Sequence, residues 1–341
     1  MDDIIVKKVD KPTYEIDPET LERFDERKNV FGRVMYDKSA SFFYKCNYLH
    51  SHSVIKEEKE GYSRLELARA CASWTLFNHF SGAFSEQKLD NEITKLSEPQ
   101  LPKYEIEDID QFTQEVKDTA MKFGASLVGI CALNRNWLYE TSMYGQPVDV
   151  SPEYTHAIVM IIPMNEDISH SPDWSAITSG GIAYSQMAFV ASSVAQFIRH
   201  LGYKAISSGN DTALNIPLAI DAGLGELGRN GMLVTPEYGA TVRICKVLTD
   251  IPLKTDKPID FSLQEICRHC TLCINACEVS AISRDSEPSY AVKSVSNSTG
   301  VKRWVVDVDK CYMFWVENGG GCSSCIAACP FSNKFIDNKK V

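Results

Sequence analysis

The chain lacks any apolar run of the roughly eighteen residues that a membrane-spanning helix needs. Its first residues show no apolar core behind a basic segment and no twin arginine, so no export signal is visible. A basic stripe is missing too: 45 acidic residues against 35 basic ones give a formal net charge of −10, which argues against a nucleic-acid partner. Without internal repeats or low-complexity segments, the composition predicts an ordinary globular protein.

Cysteine, by contrast, is plentiful, and eight of the twelve cysteines fall in two runs. The first run has the C-x2-C-x2-C-x3-C spacing of bacterial ferredoxins, in which the fourth cysteine ligates the other 4Fe–4S cluster. The second run has the last three members of that pattern, with Gly319 in the first place and Cys311 as the upstream substitute. If each run supplies the fourth ligand of the other run's cluster, two clusters are predicted. One is held by Cys267, Cys270, Cys273 and Cys329, and the other by Cys277, Cys311, Cys322 and Cys325.

Two other uses of these cysteines stay open as lesser alternatives. Structural zinc also takes C-x2-C pairs, but it needs four ligands and no third cysteine at this spacing. A disulfide scaffold is typical of short secreted chains rather than of one with 341 residues. The cysteines outside the runs are predicted to be small buried hydrophobes; they are Cys46, Cys71, Cys131 and Cys245.

Upstream of the runs, short apolar strands alternate with helical periods, which predicts an α/β (α+β) fold. Helices are expected over 64–84, 111–122 and 183–201, and strands over 126–131, 157–162, 204–207 and 242–248. A linker containing two prolines is expected over 91–110. Three units are therefore predicted, namely an N-terminal wrapping region (1–110), a core (111–260) and a cluster-binding region (261–341).

A glycine-rich segment over 221–231 contains Gly223-x-Gly225-x-x-Gly228, the letters of the dinucleotide fingerprint. That fingerprint follows a strand and opens a helix, whereas Pro217 indicates a helix that begins just before the glycines. We therefore favour a tight loop, or a close approach of the backbone to a large flat ligand, over a nicotinamide site.

Together these segments resemble the corrinoid- and iron–sulfur-dependent reductive dehalogenases over roughly residues 110–335. The resemblance is carried by the two cysteine runs and by the segments 183–187 (Ala-Tyr-Ser-x-Met), 216–235, 236–239 and 243–250. It implies a nitroreductase-like cobalamin-binding core followed by a ferredoxin-like domain with two 4Fe–4S clusters. Cobalamin would be bound base-off. This agrees with the histidines, since none of the seven lies in the Asp-x-His-x-x-Gly arrangement that ligates cobalt.

Residue by residue, the resemblance implies Tyr184 as the proton donor, Arg243 as its basic partner and Asn210 beside them. A cation near a phenol favours its ionised form, and arginine keeps its charge when partly buried. The plainer alternative makes Tyr184 a core residue and Arg243 a surface ion-pair partner. The corrinoid contacts that we expect are Gly223, Gly225, Gly228, Arg229 and Asn230.

The predicted activity is Co(I)-dependent removal of halide from an organohalide. Electrons would enter at the Cys267 set, and the Cys277 set would face the cobalt. Alternatives are an epoxyqueuosine reductase-like tRNA-modifying enzyme, which the acidic total disfavours, and an iron–sulfur electron carrier without corrinoid.

The expected partners are a small organohalide and a low-potential electron donor: a ferredoxin, a flavodoxin or a membrane quinol chain acting through an anchor protein. No nucleic acid is expected, and a homodimer is compatible with the sequence. We expect a cytoplasmic protein as the chain is written, or an exported one held peripherally at the membrane if a twin-arginine leader was removed.

Overall fold

The computed structural model describes residues 4–45, 55–56, 59–79 and 102–333, without the side chains of Glu166 and His170. Its strands are β1 (Lys7–Lys8), β2 (Leu127–Ala132), β3 (His156–Pro163), β4 (Ala205–Ser208), β5 (Glu226–Leu227), β6 (Leu233–Val234), β7 (Val242–Thr249) and β8 (Ile259–Asp260). Its helices are α1 (Val30–Tyr36), α2 (Arg64–Ser73), α3 (Thr75–His79), α4 (Ile109–Lys122), α5 (Trp174–His200), α6 (Asn215–Asp221), α7 (Leu263–His269), α8 (Leu272–Asn275), α9 (Val308–Asn318) and α10 (Ser324–Ala327).

The centre of the fold is a four-stranded antiparallel sheet in the order β2-β3-β7-β4. Strand β3 is buried on both faces because its apolar residues alternate between two cores. Ile158, Met160 and Ile162 pack with α4 and α5, whereas Ala157, Val159 and Ile161 face α6. The predicted strands are confirmed to within one residue, and the layers form a helix–sheet–helix sandwich.

Helix α5 is the longest helix in the described part of the chain and crosses one face of the sheet. It begins at Trp174, nine residues before the predicted start, because Asp173 caps it by accepting from the backbone N–H groups of Ser175 and Ala176. The predicted helix 111–122 is confirmed and begins earlier, at Ile109. The helical period over 64–84 divides at Trp74 into α2 and α3, and residues 80–84 lie outside the described residues.

The N-terminal segment runs along both the core and the cysteine-rich region. Strand β1 pairs with β8, and the Tyr14 hydroxyl donates to Asp221 at 2.7 Å. Farther along, Arg33 forms a 2.6 Å ion pair with Asp309 on α9. Most of the predicted linker lies outside the described residues, so the domain boundaries stay a prediction.

The glycine-rich segment follows helix α6 rather than a strand, which is the order that Pro217 predicts and the reverse of the dinucleotide fingerprint. A Cβ at Gly223 would overlap the Lys257 carbonyl, and one at Gly225 would overlap that of Val234. These two glycines therefore permit close approach to the protein's own backbone. Whether they also contact a corrinoid stays a prediction.

None of the helices in the described part of the chain is long and apolar enough to cross a bilayer.

Candidate active site and cluster-binding region

Three residues that are far apart in sequence meet at the edge of the sheet. Helix α5 carries Tyr184, the loop after β4 carries Asn210, and β7 carries Arg243. The Asn210 Nδ2 donates to the Tyr184 hydroxyl at 2.8 Å, and the Arg243 guanidinium carbon lies 4.9 Å from the centre of the Tyr184 ring. The structure thus brings together the three side chains that were predicted to be catalytic.

Aromatic side chains fix the phenol ring of Tyr184. Trp74, at the break between α2 and α3, stacks on it with centroids 4.9 Å apart and a 29° interplanar angle. Phe77 meets it edge-on, also at 4.9 Å. Trp74 is an aromatic residue of the predicted N-terminal wrapping region, and sequence reasoning missed the contact because no pattern links 74 with 184.

Two buried donors beside this phenol have no hydrogen-bond partner within the described residues, namely Arg243 Nε and Trp74 Nε1. A buried donor without a partner costs about 1–3 kcal/mol. Because both atoms flank Tyr184, they fit a bound group that carries acceptor atoms. Asn210 is exposed, so the site has an open side.

Behind Asn210 lies a fully buried lysine, Lys246 of β7, with 0% of its surface exposed. Its Nζ donates to the Gly209 carbonyl at 2.8 Å, the Asp211 carbonyl at 2.9 Å and the Asn215 Oδ1 at 2.8 Å. Burial lowers the pKa of Lys246 to about 8, and Asp211 partly opposes this effect. A lysine in the middle of an apolar strand was the sequence signal for this network.

The first predicted cluster set lines a single cavity that is partly open to solvent. Its walls include four thiols, those of Cys267, Cys270, Cys273 and Cys329, and the segment Gly228–Asn230. Burial raises the pKa of Cys267 to about 12 and that of Cys273 to about 11, and the neighbouring thiols add to the shift. Iron would supply the positive charge that holds such a group of thiols as thiolates.

The second predicted set gathers around Cys325 of α10. Burial raises the pKa of the Cys325 thiol, with further contributions, in decreasing order, from Cys311, Cys322, Cys273 of the first set and Cys277. Gly319 ends α9 with a φ of +75°, a left-handed conformation that suits glycine, and the chain then turns toward Cys322. This cap accounts for a glycine where the ferredoxin pattern has a cysteine.

Within the described residues, no three His, Cys, Asp or Glu side chains converge on a point that one metal ion could occupy. The thiols of the first set instead face one another across a cavity, an arrangement that fits a multi-iron cluster. Of the remaining cysteines, Cys131 and Cys245 are buried as predicted, Cys71 is half-buried, and Cys46 lies outside the described residues.

Three of the five predicted corrinoid contacts lie against the first cluster cavity. Arg229 is 3% exposed, and its guanidinium carbon lies 4.7 Å from the centre of the Trp304 ring. Asn230 Nδ2 donates to the Cys325 carbonyl at 3.5 Å, so this segment touches both cysteine sets. A corrinoid contact by these residues stays a prediction.

The second cysteine run is also joined to the start of the helix that carries Tyr184. The Ser323 backbone N–H donates to the Ser171 hydroxyl at 2.6 Å, just before α5. The Trp174 Nε1, in the first turn of α5, donates to the Gly319 carbonyl at 3.2 Å. One helix therefore links the second cluster set to the tyrosine.

The comparisons with known proteins concern the cysteine-rich region, the whole sequence and the fold. Residues 266–333 match the model of the 4Fe-4S dicluster domain. The tetrachloroethene reductive dehalogenase of Sulfurospirillum multivorans is 32% identical over 321 residues, which are 82% of this chain and 63% of that protein. The tetrachloroethene reductive dehalogenase of Desulfitobacterium hafniense is 29% identical over 382 residues, which are 90% of this chain and 69% of that protein.

Among solved structures, a reductive dehalogenase described as B12-dependent superposes with a TM-score of 0.72 at 24% identity. The superposition covers 96% of this chain but 44% of that one, so the chain spans less than half of the solved protein. The shared fold is an α+β core followed by a dicluster ferredoxin-like region. By its sequence relatives, its fold and its two cysteine runs, the chain is similar to the reductive dehalogenases, and it spans 63% of the length of the Sulfurospirillum protein.

Proposed function

We propose that this protein removes halide from an organohalide by reductive dehalogenation, with base-off cobalamin as the reactive cofactor and two 4Fe–4S clusters as electron carriers. The observation that carries the proposal is the hydrogen bond from Asn210 to Tyr184 beside the Arg243 guanidinium. Further support comes from relatives named for this reaction and from a solved neighbour described as B12-dependent.

The net reaction consumes two electrons and one proton, because a carbon–halogen bond becomes a carbon–hydrogen bond and a halide ion leaves. When bound, the clusters relay single electrons and the reduced corrinoid cobalt supplies the electrons that break the carbon–halogen bond. The chain's own task is then to hold the substrate in place and deliver the proton.

Tyr184 delivers that proton from its hydroxyl. The Asn210 amide donates to the phenol oxygen and so stabilises the negative charge that develops there, and Arg243 adds a positive charge at the ring. The rings of Trp74 and Phe77 exclude water from the phenol and strengthen these interactions.

The eight cysteines hold the clusters as two sets that exchange their fourth ligands. We propose that the Cys277 set is the inner one, since its run is hydrogen-bonded to the start of α5. A low-potential ferredoxin, a flavodoxin or a membrane quinol chain would then deliver electrons to the Cys267 set. The cellular location that we propose is cytoplasmic for the chain as written.

The test is halide release from a panel of chlorinated and brominated compounds. Protein rebuilt without oxygen from iron, sulfide and cobalamin is supplied with a strong low-potential chemical reductant, and halide and the dehalogenated product are both measured. We expect equal amounts of the two, and no release when cobalamin is omitted. Protein that holds about eight irons but no cobalt would be an electron carrier instead.

A further inference from the structure

In the hydrogen-bond network behind Tyr184, each donor and acceptor can be assigned in turn, beginning at Lys246. An ammonium group has three donors and no acceptor, and Lys246 uses all three on oxygen atoms. One of these acceptors is a side chain, Asn215 Oδ1. The amide atom of Asn215 that faces Lys246 must therefore be the oxygen.

Asn215 consequently presents its NH₂ group on the other side. The Nδ2 lies 3.0 Å from each of three oxygens, those of the Gly209 carbonyl, the Ile244 carbonyl and the Asn210 side chain. Backbone carbonyls only accept, so these two carbonyls require the same orientation of the Asn215 amide as Lys246 does. An amide orientation that is usually ambiguous is fixed here by its neighbours.

The same reasoning then fixes Asn210. Its Oδ1 faces the Asn215 NH₂, so its own NH₂ faces the Tyr184 hydroxyl at 2.8 Å. The Tyr184 oxygen is therefore an acceptor in this bond, and its proton is left to point elsewhere. With the opposite amide orientation, the phenol would donate to Asn210 and its proton would be occupied.

We propose that Asn215, held in one orientation by Lys246 and by the Gly209 and Ile244 carbonyls, is a positioning residue that acts through Asn210 to keep the Tyr184 proton free for the substrate. This inference rests on the proposed function for its catalytic meaning, whereas the direction of the hydrogen bond is a property of the protein alone. A purely structural asparagine at 215 would hold the loop 209–211 in place without deciding which way the phenol donates.

Two variants separate the members of the relay. Lys246→Met removes three donors, but the Gly209 and Ile244 carbonyls still hold the Asn215 amide in the same orientation. Asn215→Asp keeps an acceptor for Lys246 but has no NH₂, so Asn210 must turn its own NH₂ toward the new carboxylate and its oxygen toward Tyr184. Since the second change is isosteric and leaves the lysine paired, it tests the relay even if the first variant fails to fold.

The first readout is the tyrosine doublet in ultraviolet resonance Raman spectra, which reports whether a phenol oxygen donates or accepts. Subtracting the spectrum of Tyr184→Phe isolates the signal of Tyr184. We expect an acceptor signature in the wild type and in Lys246→Met, and a donor signature in Asn215→Asp. The matched control is Thr249→Val, on the same strand as Lys246. It removes a part-buried hydrogen bond to the Lys204 carbonyl and should leave the signature unchanged.

The second readout is kinetic. Asn215→Asp should lower kcat by about 10²-fold with little change in KM, and adding it to Asn210→Ala should cause no further loss, because both changes break one path. An unchanged doublet in Asn215→Asp, a donor signature in Lys246→Met, or losses that multiply in the double variant would overturn the proposal. If the wild type releases no halide, the proposed function fails, and the Raman readout still decides the relay.

Discussion

The chemistry of Tyr184 depends on a hydroxyl that accepts one hydrogen bond and keeps its own proton available. Tyr184→Phe removes that proton and little else, because the ring contacts with Trp74 and Phe77 are retained. We expect kcat to fall by about 10²–10⁴-fold, the usual contribution of a general acid, while iron and cobalt contents stay normal. Tyr203→Phe, which removes a hydroxyl bonded to the Tyr104 carbonyl, is the control. A variant that kept the full rate would show that the proton comes from another group.

Glu26 is a buried acid whose ionisation should be visible in the stability of the protein. Burial raises its pKa to about 7, so the stability it contributes is complete below the ordinary pKa of a glutamate and is lost as the pH rises through 7. We expect Glu26→Gln to match the wild type near pH 5 and to exceed it at pH 8 by on the order of 2–3 kcal/mol in the free energy of unfolding.

Chemical denaturation at the two pH values measures this difference. Glu153→Gln is the control. Because that side chain is exposed, the substitution should change the free energy of unfolding by the same small amount at both pH values. Equal stabilities of Glu26→Gln and the wild type at pH 8 would contradict the prediction.

At the scale of elements, the contact between α2 and α5 sets the position of Trp74 over Tyr184. Gly181 of α5 makes it possible, because a Cβ there would overlap Ser73 Oγ and crowd the Trp74 ring. We expect Gly181→Ala to cost about 1–3 kcal/mol and to slow dehalogenation by displacing Trp74.

The neighbouring residue provides the matched control for that change. A Cβ at Gly180 would lie 3.6 Å from Arg243 Nη2, an ordinary contact, so Gly180→Ala should be tolerated. Denaturation midpoints and initial rates of the two variants give the comparison. Equal behaviour of both would mean that the α2–α5 contact does not position Trp74.

The accuracy with which the sequence predicts the secondary structure also differs from one element to another. Strand β3 was predictable because a run of six apolar residues, 157–162, is a local signal of a strand buried on both faces. The start of α5 was not, since a capping Asp173 gives a weaker signal than an apolar period. The stacking of Trp74 and the network around Lys246 join residues more than thirty positions apart, and no spacing rule covers such contacts.

At the scale of the whole molecule, the two cysteine runs depend on each other and on the core. The Ala240 backbone N–H donates to the Ser332 hydroxyl at 3.1 Å, and a Cβ at Gly239 would overlap the backbone of Phe331 and Ser332. The segment that carries Cys329 is therefore packed directly against the end of the central sheet. Loss of a cluster should therefore lower the stability of the core.

Cys329→Ala tests this coupling. We expect the iron content to fall from about eight to about four, because the first cavity loses its fourth thiol while the second set keeps all of its own. The melting temperature should fall as well. Cys71→Ala, outside both runs, should change neither quantity. An iron content near eight in Cys329→Ala would show that the fourth ligand of the first cluster is another residue.

The proposed exchange of ligands between the runs would also constrain how the protein matures. The cavity of the first run stays incomplete until Cys329 has been synthesised, more than fifty residues after Cys277. On that proposal, a ribosome-bound chain that has exposed only the first run can finish neither cluster, and iron insertion follows translation of the second run.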